Sequence, residues 1–124
     1  MISLEEARIR VTRGAAHLDQ VRPGWFNEID VGTLALDSCT YCIAGQLAPH
    51  AEFPFSEGLL QIGLVKGTEA PRAVNAVATS HGLATDEKDG SAFPLLQDAW
   101  IEAIAARRHP VVEREPELVT EGSR

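Results

Sequence analysis

Apolar residues recur three and four positions apart along several stretches of the chain, the spacing that lines one face of an α-helix. The first such stripe is Leu4, Ala7, Val11, Ala15 and Leu18, which leaves Arg8, Arg10, Arg13 and Gln20 on the wet side. Ser3 and Glu6 have the spacing of a capping box at its start, and Pro23-Gly24 end it. The clearest stripe is Phe93, Leu96, Trp100, Ala103 and Ile104, in a helix beginning near Ser91 or Phe93 with Pro94 in its first turn. Arg107, Arg108 and His109 place positive charge at its C-terminal end, where the helix dipole favours it, and Pro110 stops it. Trp100 lies mid-stripe and is expected to be the hub of the core. Its expected partners are Ile43 or Leu47 on one neighbouring stripe and Val11 or Leu18 on the other. Trp25, on a loop, is expected to matter less.

Between these ends the pattern is shorter and more broken. Residues 25–37 fit neither helical nor strand period, and read as a packed loop with one helical turn, anchored by Trp25 and Phe26. Asp37 and Ser38 are good N-caps, so a helix is expected from Cys39, with Cys39, Cys42, Ile43, Gln46 and Leu47 on one face until Pro49 stops it. The segment His50-Ala-Glu-Phe-Pro-Phe55 reads as non-helical, with Phe53 and Phe55 covering one end of the core. Ser56 then caps a short helix through Leu59, Leu60 and Leu64, closed by Gly63 or Gly67. Thr68 caps a further helix with Pro71 in its first turn, running to His81 and stopping at Gly82. Its small apolar residues Ala70, Val74, Val77 and Ala78 predict close packing and burial. Residues 84–91 read as a polar loop. No strand pattern emerges, so the expected fold is all-α: one compact helical domain over residues 1–110, of four or five short helices with a packed loop. A flexible acidic tail is expected over 111–124.

Length and composition agree with that picture. A chain of 124 residues can bury a real core without staples, and its hydrophobic fraction of 44% is that of an ordinary globular protein. No apolar run approaches the roughly 20 residues of a membrane span, and the N-terminus lacks a basic region followed by a hydrophobic one. The expected location is therefore cytoplasmic, bacterial or host, with no membrane partner. The net charge of −7 is concentrated in residues 25–104, which carry three basic against eleven acidic side chains. Such a surface repels phosphate backbones and argues against nucleic acid as a partner.

One arrangement could carry chemistry. A Cys-x-x-Cys at a helix N-terminus is the geometry of a thiol-disulfide site, and Cys39-Thr40-Tyr41-Cys42 would have it if a helix began there. Redox enzymes set that motif in a strand-to-helix turn, and no strand pattern surrounds it here. Zinc would need Cys39 and Cys42 together with two of His17, His50, His81 and His109, of which His50 and His81 are the candidates, and no H-x3-5-H pair exists. Two core thiols on an apolar stripe are the simpler reading. His81, just before Gly82, reads as a helix C-terminal residue that contacts the last carbonyls. No hydrolase motif, phosphate loop or dinucleotide fingerprint occurs, so no catalytic residue and no cofactor are assigned.

Taken together, Arg13-Gly14-Ala15-Ala16, Leu18-Asp19, Arg22-Pro23-Gly24-Trp25, Ile29-Asp30, Leu34, Ser38-Cys39, Cys42, Gly45-Gln46-Leu47, His81-Gly82-Leu83 and Ala99-Trp100 resemble a family of small uncharacterised proteins of actinobacterial phages and their hosts. Where that family has an aromatic-glycine pair after Gln-Leu, this chain has Ala48-Pro49-His50. The resemblance implies a source and a size class and carries no mechanism. The expectation is a non-enzymatic accessory protein that binds a host or phage protein. The alternative is a thiol site at Cys39 and Cys42 serving redox chemistry or zinc binding.

Overall fold

A computed structural model describes residues 2–85 and 90–109. It is all-α, with no strand among the described residues: α1 (Leu4–Val21), a single 3-10 turn (Trp25–Asn27), α2 (Ile43–Gln46), α3 (Pro54–Gln61), α4 (Pro71–Ser80) and α5 (Ala92–Arg108). The expected mobile tail, 111–124, and residues 86–89 of the charged 84–91 loop lie outside the described residues.

The two long stripes form the centre. α1 buries Ala7, Val11, Gly14, Ala15 and Leu18, and α5 buries Ala92, Leu96, Ala99, Trp100 and Ile104. Leu4, at the exposed end of the first stripe, stays 41% accessible. Ser3 caps α1 by accepting from the Glu6 amide at 3.0 Å, while the Glu6 carboxylate turns instead to Arg10. Both tryptophans are fully buried and stand edge to face, their ring centroids 5.6 Å apart. Each indole N–H has an acceptor, as burial of such a donor requires. Trp100 Nε1 donates to the Gly82 carbonyl at 2.7 Å, and Trp25 Nε1 to Asp19 Oδ1 at 2.9 Å. Trp25 is therefore as central as Trp100, against the expectation that a loop position would be peripheral. The loop is not loose: the Arg108 guanidinium donates to the carbonyls of Phe26 and Ile29, and Gln97 exchanges hydrogen bonds with the backbone of Leu34 and Leu36.

Close approach depends on absent side chains. A β-carbon at Gly14 would collide with the His81 carbonyl oxygen and come within 3.1 Å of Trp100 Cζ2, so the residue lets the end of α4 lie against α1. Gly58 does the same between α3 and the backbone of Ala44 in α2.

The shorter helices depart from expectation. The cysteine helix is one turn long and begins at Ile43. Ser38 Oγ does act as a cap, accepting from the amides of Thr40 and Tyr41, but the turn it starts closes at Cys42, whose ψ of 177° is extended. Cys39 is thereby left on an exposed turn, off the stripe that holds Cys42, Ile43 and Leu47. α3 starts two residues before Ser56, with Pro54 at its first position, where the missing amide hydrogen is no loss. Phe53 precedes the helix and is 68% exposed rather than covering the core; Phe55 packs against it. α4 has the expected proline start, with Ala70 as N-cap, and ends at Ser80 with His81 as C-cap. It is not largely buried: only Ala78 is, while Ala70, Ala73 and Ala76 are exposed and Val74 and Val77 half-buried. Small side chains allowed close packing, but α4 lies at the edge and its main helix contact is with α1.

Candidate functional site

The residues that sequence marked for chemistry do not assemble. Cys42 is buried, and its sulfur caps α2 by accepting from the Gly45 amide at 3.3 Å. Burial pushes this thiol's pKa up, the reverse of what a thiolate nucleophile needs. Cys39 is exposed and is not bonded to Cys42. His50 lies on an exposed turn after α2. His81 caps α4 as expected, its Nδ1 3.0 Å from the Val77 carbonyl, and it stacks edge-on to His17 at 5.8 Å. His17 in turn places Nε2 2.6 Å from the Ile62 carbonyl. Among the described residues no three His, Cys, Asp or Glu side chains come together as a metal site would require.

What the fold does create is a surface feature. α3 and α4 diverge around a groove of about 420 Å³ whose walls are mostly apolar: Phe55, Leu60, Val65, Pro71 and Val74. Leu60 is 39% exposed on this wall, and Phe53 projects beside the start of the same helix. At the groove's other end Glu69 folds back on the turn before α4, its carboxylate accepting from the amides of Lys66 at 2.9 Å and Gly67 at 3.0 Å. The Lys66 amide above all keeps the Glu69 carboxyl below the ordinary carboxylate range, so a fixed negative charge borders an apolar channel. The sequence does hold a signal for it. Leu59 and Leu60 are adjacent on one helix, successive side chains point about 100° apart, and with Leu59 fully buried Leu60 is turned outward.

Compared with protein-family models, curated proteins and solved structures, the chain matches none. Among the described residues no helix is long and apolar enough to cross a membrane.

Proposed function

We propose that this is a non-enzymatic accessory protein of phage type that binds a host or phage protein, and that the α3–α4 groove is the surface it uses. The observation that carries this reading is the exposure of Leu60 on the wall of an apolar groove, with Phe55, Val65 and Val74 beside it and an ionised carboxylate at its edge. Exposed large apolar side chains grouped around a concavity are characteristic of protein contacts, whereas single ones are ordinary. The chemistry of the groove suits an amphipathic segment of another protein, with apolar anchors for Phe55, Leu60 and Val74 and a basic residue for Glu69. The resemblance to actinobacterial phage proteins supports the source, and the dispersed histidines and cysteines give no catalytic constellation among the described residues. The thiol alternative has less support, because Cys42 is committed to capping α2.

The test is affinity capture from an actinobacterial lysate with wild type and with Leu60→Asp, each first shown to be folded by circular dichroism. The expected result is a partner retained by wild type and lost by Leu60→Asp, whose contacting segment carries a basic residue. A partner held equally by both proteins, or self-association through this face, overturns the assignment of the groove.

A further inference from the structure

The two cysteines of the chain take no part in the protein-binding reading, and the fold gives them unlike places: Cys39 is exposed on the turn before α2, whereas Cys42 is only 1% accessible. They are nevertheless held together. The Cys42 amide donates to the Ser38 carbonyl at 3.1 Å and closes the turn that contains both, while Ser38 Oγ fixes its middle by accepting from the amides of Thr40 at 3.2 Å and Tyr41 at 3.1 Å. Residues three apart in such a turn have α-carbons within about 7 Å, and a disulfide spans about 4.4–6.8 Å. The Cys42 sulfur lies 3.9 Å from the Cys39 carbonyl oxygen, to which its thiol donates, so part of what covers this buried sulfur is Cys39 itself. The turn is also seated on α2, since a β-carbon at Gly45 would strike the carbonyl oxygens of Cys39 and Thr40.

The difference in exposure sets the order of reaction. Burial pushes the Cys42 thiol up and the charge of a Cys39 thiolate adds to it, so Cys42 is not the sulfur that meets an oxidant. Cys39 is the one open to solvent. Its thiolate can attack a low-molecular-weight disulfide, forming a mixed disulfide and releasing one small thiolate. Cys42 then gives up its proton and attacks the Cys39 sulfur, expelling the second small thiolate. Two protein thiols are oxidised, one small disulfide is reduced, and the two protons lost by the cysteines end on the two released thiols. The turn favours the second step because it already holds the reacting residues side by side. The product has a consequence for α2. Oxidation removes the thiol hydrogen that Cys42 directs at the Cys39 carbonyl, and bonding at about 2.0 Å draws its sulfur toward Cys39. That takes it off the Gly45 amide, 3.3 Å away, which it now caps.

We propose that Cys39 and Cys42 form a reversible disulfide by exchange with a low-molecular-weight disulfide, and that its formation uncaps α2. The modification stands without the groove reading. The test equilibrates the full chain with glutathione disulfide and then with excess glutathione, following intact mass and the hydrogen exchange of the Gly45 amide. The oxidised chain is expected to be lighter by two hydrogens, with no glutathione attached. Its Gly45 amide should exchange roughly fivefold faster, the loss of one hydrogen bond, and excess glutathione should reverse both changes. Cys42→Ser keeps a capping oxygen and should stop at one glutathione on Cys39, while Cys39→Ser should take up none. Cys39 is on an exposed turn, so Cys39→Ser keeps the test decisive if Cys42→Ser is destabilised. A wild-type chain that ends with glutathione still on Cys39, or as a disulfide-linked dimer, overturns the internal disulfide. Glutathione on Cys39→Ser overturns the order of reaction, and unchanged Gly45 exchange in the oxidised chain overturns the uncapping.

Discussion

α4 and α5 look alike in sequence: each has a proline in its first turn, an apolar stripe and a polar back. In the folded chain they differ in depth. α5 buries five residues including Trp100, and is tied down along its length by Trp100 to Gly82, Gln97 to Leu34 and Leu36, Arg107 to Asp19 and Arg108 to Phe26 and Ile29. α4 buries Ala78 alone and is held at its C-terminal end, by Arg13 on Ser80 and by the Leu83 amide on Ala78. Periodicity states which face of a helix turns inward, but depth is set by how much side chain there is to bury and by what else grips the helix. A face of alanine and valine offers little of the first.

The contrast is tested most strongly at the tryptophan pair. Trp100→Ala and Trp25→Ala should each cost about 3–5 kcal/mol in urea denaturation, since each empties a site with full burial and a hydrogen bond. A mild Trp25→Ala would mean that the loop relaxes around the loss and that only helix-borne residues define the core. An intermediate effect is expected at Asp19, whose carboxylate joins three elements: it accepts from Arg107 Nε at 3.0 Å and Nη2 at 2.7 Å, and from Trp25. The Arg107 hydrogen bonds are the main reason that its pKa lies below the ordinary value; burial opposes them and Trp25 adds to them. A carboxyl with a depressed folded pKa stabilises above the unfolded value of about 3.9, and this contribution is lost as pH falls through the folded value. Wild type should therefore lose more stability than Asp19→Asn between about pH 5 and about pH 2, seen in denaturation midpoints across that window. Equal slopes would assign the clasp no electrostatic share. The smallest effect belongs to α4, where Val74→Ala should change stability by about 1 kcal/mol or less. A loss as large as that at Trp100 would place α4 inside the cooperative core.

Much of the scaffold was legible. The spacing of Leu18 from Val11 and of Ile104 from Trp100 located α1 and α5 because long amphipathic helices repeat their signal over several turns. The cysteine segment failed where a single backbone angle decided the outcome: Ser38 caps a turn as its chemistry predicts, yet extension at Cys42 restarts the chain and turns Cys39 outward. No periodicity reports that. Trp25 was undervalued because a loop has no repeat from which to infer burial, and its partners, Asp19 and Trp100, are brought to it by tertiary packing. The groove beside α4 was likewise beyond periodicity, though Leu60 beside Leu59 was its available trace.

The pairing of α1 with α5 also bears on how the chain acquires its structure. Arg8 meets Glu102, 94 positions further along the chain, so the central interface closes most of the described sequence into one loop. Contacts of that separation repay their closure entropy late, which slows folding relative to a bundle of sequential neighbours. During synthesis the first helix leaves the ribosome with its apolar stripe uncovered, and the α5 residues that shield it are made after every other described helix. Between those moments the nascent chain depends on whatever else in the cell covers exposed apolar surface.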